Sequence, residues 1–168
     1  MLLPGNQLEE LCSQAHDEVI LVAPFIKASA LARLLSAIPE VATLQCVTRW
    51  RPEEIVAGVS DLEVWLLLEK LPHASLWLRP DLHAKYYRAD HSCLIGSANI
   101  TATALGWMSQ PNLELLVPVS ALNSQLVDFE KNLFAGSIQV EQSVFEQMKQ
   151  TVHLFKEQYP QNFSSDSS

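Results

Sequence analysis

The sequence predicts an α/β protein built on a mixed, mainly parallel β-sheet that is flanked by helices on both faces. Two apolar runs rich in β-branched residues, at 18–24 and 42–48, enclose a helical pattern at 27–38, which is the order of a βαβ unit with a right-handed crossover. Strand and helix patterns continue to alternate along the chain. At 168 residues, the chain is long enough for one domain with a core and too short for two ordinary ones.

Each further element follows from the spacing of its apolar residues. The first helix is predicted at 7–14, and after the βαβ unit the pattern predicts helices at 52–57 and 61–71, with Ser60 as the N-cap of the second. The later elements are a strand at 74–78, helices at 101–107, 120–135 and 140–158, and a strand at 112–117. The domain is expected to cover residues 1–159, and the polar tail at 160–168 is expected to be disordered.

Composition narrows the possible functions. The net charge of −8 argues against a protein that coats nucleic acid by bulk electrostatics, although a local cluster of basic residues could still hold a phosphate: Arg49, Arg51, Lys85 and Arg88. No apolar run reaches the roughly 20 residues of a membrane span, and the N-terminus lacks signal-peptide features, so we expect a cytoplasmic protein with no membrane partner. The three cysteines are scattered in apolar patterns, which indicates buried free thiols rather than a disulfide or a zinc site.

The stretch from residue 82 to residue 99 carries the most chemistry. Residues 82–90 and 91–95 are predicted to form two antiparallel strands, with Asp90 and His91 at the turn between them. Period-2 alternation in the first strand places His83 and Lys85 on one face, about 7 Å apart. An imidazole and a fixed cation side by side are suited to phosphate chemistry.

The segment that follows completes this site. Gly96 is expected to let a ligand approach the backbone closely, and Ser97 and Asn99 supply neutral donors. A helix beginning near residue 100 is expected to point its N-terminal N–H groups at an anion. In a sheet of this type ligands bind beyond the carboxyl ends of the strands, which also places Arg49 near the site.

These residues resemble the signature of the phospholipase D superfamily, H-x-K-x-x-x-x-D followed by G-S-x-N. The matching positions are His83, Lys85, Asp90, Gly96, Ser97 and Asn99. The hairpin is one residue tighter here than is usual in the family, so Asp90 serves either the site or the turn. The resemblance implies a phospholipase D-like fold, catalytic His83, Lys85, Asn99 and Asp90, and phosphate binding by Lys85, Ser97 and Asn99.

The resemblance also implies a mechanism and an oligomeric state. In-line displacement at phosphorus needs a nucleophile on one side and an acid on the other, and this chain has one copy of the motif. Short single-motif relatives imply a homodimer in which two His83 side chains face one phosphate and a phosphohistidine forms. No cofactor and no metal are expected, because paired cations and amides stabilise the charge and the sequence lacks a clustered Asp/Glu metal site.

Two side chains have open interpretations at this point. Glu114 lies in an N-x-E segment that resembles the one whose glutamate orients the signature histidine, but a carboxylate at the wet end of a strand could instead pair with a lysine. Arg49 is either a phosphate ligand or a loop arginine that stacks on Trp50 or pairs with Glu53 or Glu54.

The function that the sequence favours is a metal-independent phosphodiesterase, and more narrowly a DNA endonuclease, because the short cytoplasmic relatives that it resembles are mostly nucleases. One alternative is a lipid-hydrolysing phospholipase. The other is a weakly active or non-catalytic phosphate-binding subunit of a larger DNA-processing or defence assembly. The sequence leaves open whether the substrate is DNA, RNA or lipid.

Overall fold

Seven strands form one sheet in this computed structural model, which describes residues 2–160. The strands are β1 Glu18–Val22, β2 Thr43–Thr48, β3 Ala74–Leu78, β4 Tyr86–Ala89, β5 Ser92–Gly96, β6 Leu116–Ser120 and β7 Ile138–Gln139, in the spatial order β6-β5-β4-β1-β2-β3-β7. Strands β1, β2 and β3 are parallel neighbours, and the other four pairings are antiparallel. The sheet is therefore mixed, as predicted, but its parallel pairings are confined to the three strands β1, β2 and β3.

Helices cover both faces of the sheet, as predicted. They are α1 Pro4–Ser13, α2 Ala28–Leu35, α3 Pro52–Val56, α4 Val64–Leu68, α5 Ala102–Leu105, α6 Ser124–Ala135 and α7 Gln142–Gln158. Helix α6 packs on one face, where Leu133 joins Ile20, Val22 and Tyr86, and the other helices contribute to the larger core on the opposite face. Tyr86 and Tyr87 are both buried, one on each face, because successive side chains of a strand point in opposite directions.

The register of the strands brings several loops to one end of the sheet. Val22, at the end of β1, lies beside Tyr86 at the start of β4. Tyr86 in turn faces Ile95 near the end of β5, and the last residue of β5, Gly96, faces Leu116 at the start of β6. We call this end the carboxyl edge, formed by residues 23–25, 49–51, 79–85, 96–99 and 111–115.

Several predicted boundaries are corrected by the structure. Residues 82–85 precede β4 instead of forming part of it, and residues 112–115 are a loop before β6. Ser60 is not an N-cap: α4 begins at Val64, and the Ser60 hydroxyl accepts a hydrogen bond from the backbone N–H of Ile26. The three cysteines are buried free thiols, as predicted.

The described residues cover nearly all of the predicted 1–159 domain, and 161–168, most of the tail predicted to be disordered, lie outside the described residues. None of the helices described between residues 2 and 160 is long and apolar enough to span a bilayer.

Candidate active site

His83 and Lys85 lie in the loop that enters β4, at the carboxyl edge. Leu82 is buried and anchors the start of this loop, and Tyr86 is buried at its end, so the residues between them are held at both sides. His83 is exposed to solvent, and none of the residues 2–160 hydrogen-bonds to its ring. The Lys85 ammonium donates a hydrogen bond to the backbone carbonyl of His83 at 2.9 Å, which brings the cation next to the histidine.

Gly96 and Ser97 bind the segment that carries Glu114. A Cβ atom at position 96 would run into the carbonyl oxygen of Leu115. Glycine is therefore required for the close approach of this backbone segment, and not, as the sequence analysis predicted, for the approach of a ligand. The Ser97 N–H donates to the Leu115 carbonyl at 2.9 Å, and the Leu115 N–H donates to the Ser97 hydroxyl at 3.0 Å. The Ser97 hydroxyl itself donates to the Glu114 carboxylate.

These contacts correct the expectations for Ser97 and Glu114. The Ser97 hydroxyl proton is directed at Glu114, so it is not presented to a phosphate. Glu114 also accepts from the Asn112 side chain at 3.2 Å and has no hydrogen bond to His83 within residues 2–160. The prediction of a buried strand carboxylate was wrong because residues 112–115 form a loop, where Glu114 is half-exposed and satisfied by a hydroxyl and an amide.

Asn99 faces the same edge from the turn after β5. Its side-chain oxygen accepts from the Phe25 backbone N–H at 3.3 Å, an orientation that leaves the amide NH₂ as a donor. Buried Tyr87 holds this turn in place, because its hydroxyl donates to the Ala98 carbonyl at 2.6 Å. The anion-binding helix terminus expected here is not offered, because α5 has only four residues and the Thr101 hydroxyl accepts from the Ala104 N–H.

Asp90 lies at the opposite end of the sheet from His83, with the length of β4 between them. Its carboxylate accepts from the backbone N–H groups of His16 at 2.7 Å, Asp17 at 2.9 Å and Glu18 at 3.0 Å. These bonds, that of His16 foremost, lower the pKa of Asp90. Of the two roles left open, the structure supports the structural one, so the catalytic assignment of Asp90 is corrected.

Arg49 follows β2 and is half of an ion pair. Its Nε and Nη2 donate to the two carboxylate oxygens of Glu54 at 2.9 and 2.8 Å, and its Nη1 donates to the Leu82 carbonyl at 2.9 Å. The structure therefore supports pairing with Glu54 over a direct phosphate contact. The sequence analysis named Glu54 only as one of several possible partners of Arg49. It could not identify the Leu82 carbonyl as a partner, because the leucine side chain is apolar and gives no sign that its backbone is bound.

The charges around Lys85 tune its acidity. Partial burial lowers the pKa of the Lys85 ammonium, the Arg49 charge lowers it further, and Glu114 opposes both by raising it. Arg88 does not join this cluster, because its guanidinium binds Glu130 and Glu18 on the side of β4 covered by α6. Of the predicted site residues, the carboxyl edge thus brings together His83, Lys85, Ser97, Asn99, Glu114 and Arg49, and excludes Asp90.

The fold is similar to that of several solved structures. NucT from Helicobacter pylori matches with a TM-score of 0.60 at 15% identity, over 80% of this chain and 89% of that one. Nuc from Salmonella typhimurium, a phospholipase D family member, matches with a TM-score of 0.61 at 13% identity and the same coverage. Phosphatidylserine synthase from Haemophilus influenzae Rd KW20 matches with a TM-score of 0.65 at 14% identity, over 95% of this chain and 42% of that one.

The sequence itself matches no family model and no curated protein sequence. The structural similarity shows the fold: the chain has the phospholipase D-like architecture of a seven-stranded mixed sheet flanked by helices, as predicted.

Proposed function

We propose that this chain is a metal-independent phosphodiesterase that cleaves nucleic acid, most directly DNA, through a phosphohistidine intermediate. The observation that carries the proposal is the convergence of His83, Lys85 and Asn99 at the carboxyl edge, with the His83 ring exposed and unbonded within residues 2–160. Phosphodiester cleavage needs a nucleophile, a fixed cation and a neutral donor around one phosphorus, and these three side chains supply that set.

In the proposed mechanism a ring nitrogen of His83 attacks phosphorus and forms a P–N bond while the bond to the leaving oxygen breaks. Lys85 and Asn99 bind the non-bridging oxygens as negative charge develops on them. Water then attacks the phosphohistidine, restores the imidazole and releases the second product. Among residues 2–160 no cluster of three His, Cys, Asp or Glu side chains is placed to hold a metal ion. Removing the Lys85 ammonium is expected to raise the barrier by about 3–4 kcal/mol.

The leaving oxygen must be protonated from the side opposite the nucleophile, and one histidine cannot occupy both sides. A homodimer supplies His83 of a second protomer as the general acid. An exposed apolar segment beside the site supports such a contact: Leu113, Leu115 and Val117 are 89%, 63% and 38% exposed, next to Glu114. A surface of this kind is suited to holding two half-sites in fixed register.

A lipid phosphodiesterase is the second candidate, and the same exposed leucines favour it, because they could contact acyl chains beside the phosphate. The two functions differ in what covers the leucines. A dimer buries them in the absence of substrate, whereas a lipid enzyme leaves them free to insert into vesicles.

The experiment is cleavage in excess chelator of three substrates: supercoiled plasmid, bis(p-nitrophenyl) phosphate and phospholipid vesicles. We expect cleavage of plasmid and of the chromogenic diester, and none with His83→Ala. His153→Ala is the matched control, because this exposed histidine on α7 pairs with Glu157. Activity that requires an added divalent ion would overturn the mechanism, and cleavage of vesicles alone would replace DNA by lipid as the substrate. Wild-type protein that binds phosphate without cleaving any of the three would support the phosphate-binding subunit.

A further inference from the structure

The loop that carries His83 and Lys85 is held by side chains from another loop. Arg49 Nη1 donates to the carbonyl of Leu82, the residue immediately before His83, at 2.9 Å. Arg51 Nη2 donates to the carbonyl of Pro80 at 3.1 Å, two residues earlier. A backbone hydrogen bond from the Arg79 N–H to the Thr48 carbonyl, at 2.9 Å, ends the parallel pairing of β2 and β3 just before these contacts begin.

Glu54, on the short helix α3, fixes both arginines. It binds Arg49 through both oxygens, and its Oε1 lies 3.9 Å from Arg51 Nε. The Arg49 and Glu54 side chains are only 11% and 15% exposed, whereas Arg51 is 45% exposed. A pair of parallel hydrogen bonds between a guanidinium and a carboxylate fixes the orientation of the two groups as well as the distance between them. Arg49 is therefore rigid enough to fix the position of the Leu82 carbonyl.

Arg49 also contacts the other half of the site. Its guanidinium lies over the Phe25 ring at 5.2 Å, and the Phe25 backbone N–H donates to the Asn99 side chain. A single side chain is thus in contact with the loop before His83 and with the residue that orients Asn99. These two halves of the site are otherwise joined through the sheet, by the pairing of Tyr86 with Ile95.

We propose that Arg49 and Glu54 form a brace that positions His83 and Lys85 for phosphoryl transfer, with Arg51 as a secondary support. Arg49 is a positioning residue: it acts through the Leu82 carbonyl and does not contact the substrate. This inference rests on the proposed function for its kinetic test, but the brace itself has a readout that needs no turnover.

The brace also places a fixed positive charge near Lys85. Since Arg49 and partial burial both lower the pKa of Lys85, a change that removed the arginine charge would mix an electrostatic effect with a geometric one. Arg49→Lys avoids this, because it keeps the charge but offers a single nitrogen. One ammonium cannot bond both oxygens of Glu54 and the Leu82 carbonyl in the geometry of the guanidinium.

The test compares Arg49→Lys and Glu54→Gln with wild type and with Glu9→Gln, the matched control. Glu9 also forms an arginine–carboxylate ion pair, with Arg33, but through one contact at 3.0 Å, with more exposed side chains and away from the carboxyl edge. For each variant we would measure the melting temperature, kcat and KM on bis(p-nitrophenyl) phosphate, and hydrogen exchange by NMR of the Arg79 and Leu82 amides, which donate to the Thr48 and Arg79 carbonyls at 2.9 and 3.2 Å. If Arg49→Lys fails to fold, Glu54→Gln still tests the brace, because glutamine keeps the shape of the glutamate side chain.

We expect kcat to fall about 10²-fold in Arg49→Lys, the scale of a small misplacement of reacting groups, with the protein fully folded at the assay temperature. Amide exchange at 79 and 82 should become faster in both brace variants and stay unchanged in Glu9→Gln. A kcat within about twofold of wild type, with unchanged exchange, would overturn the brace. If wild-type protein cleaves no diester, the proposed function fails by itself, and the exchange rates alone decide between a brace and a dispensable ion pair.

Discussion

Replacing Asp90 by asparagine is expected to weaken the fold and leave catalysis intact, contrary to the role that the motif suggests. In the wild type, one carboxylate oxygen accepts from His16 and the other accepts from both Asp17 and Glu18. In Asp90→Asn the remaining oxygen can keep the two bonds to Asp17 and Glu18, while the new NH₂ faces the His16 N–H, donor against donor. Asparagine also tolerates the left-handed backbone at this position, where φ is 50°.

The magnitude follows from one lost charge-assisted hydrogen bond at the surface, about 1–2 kcal/mol. For a chain of this length that corresponds to a fall of about 3–6 °C in melting temperature. Asp90→Ala loses both acceptor oxygens, and with them all three hydrogen bonds, and it lacks the short polar side chain that lets Asp and Asn tolerate the left-handed region, so it should cost about 2–4 kcal/mol. The kcat of both variants on bis(p-nitrophenyl) phosphate should stay within about twofold of wild type at a temperature where both are folded.

The pH dependence of stability gives an independent check on Asp90. Backbone N–H donors lower its folded pKa below the unfolded value, so its contribution is fully present above the unfolded pKa and is lost as the pH falls through the folded one. The stability difference between wild type and Asp90→Asn should therefore be constant above about pH 5 and shrink below about pH 4. A well-folded Asp90→Asn that loses more than about tenfold in kcat would refute this reasoning and return Asp90 to the catalytic set.

Three further changes test the neighbouring groups. Glu114→Gln can still accept a hydrogen bond from Ser97 but removes the charge that raises the pKa of Lys85, so the alkaline limb of the pH–rate profile should move to lower pH; an unmoved limb would contradict this. Leu115→Glu should produce an inactive monomer by light scattering, while Leu122→Glu, at a leucine that is also largely exposed but lies beyond the far end of β6, should remain an active dimer. Binding of duplex DNA to His83→Ala should show a slope of log K against log salt of about −2, one Lys85 per protomer, and a slope several times steeper would reveal a cationic groove.

The sequence predicted the elements whose signal is local. Strand β3 covers the predicted range 74–78, and the β1–α2–β2 unit differs from the prediction only at the ends of its elements. Continuous apolar runs and helical spacing indicate directly which residues are buried, so such elements can be recognised from the sequence. The hairpin of β4 and β5 was also correct, with Asp90 and His91 as its turn. These features depend on residues that are neighbours in the chain.

The errors arose where partners lie far apart in sequence. Residues 82–85 alternate like a strand, but β1 ends at Val22 and β5 ends at Gly96. No strand therefore remains beside residues 82–84, and the Leu82 carbonyl is taken by Arg49. Glu114 was misplaced because the pairing of Gly96 with Leu116 starts β6 four residues later than the predicted strand at 112–117. Sequence spacing alone could not have revealed that Asp90 binds residues 16–18, more than 70 positions away.

Charge pairing reconciles an acidic chain with a phosphate site. Seven of the 11 basic residues lie within 4 Å of a carboxylate, namely Lys27, Arg33, Arg49, Arg51, Arg79, Arg88 and Lys149. Of the four lysines without such a partner among residues 2–160, Lys85 is the only one at the carboxyl edge. The paired arginines fix loops, whereas Lys85 keeps a charge to offer. Under the proposed function, the attraction for substrate would therefore be concentrated at the scissile phosphate and not along a strand, and selectivity among phosphodiesters would come from the groups beside the phosphate, which include the exposed Leu113 and Leu115.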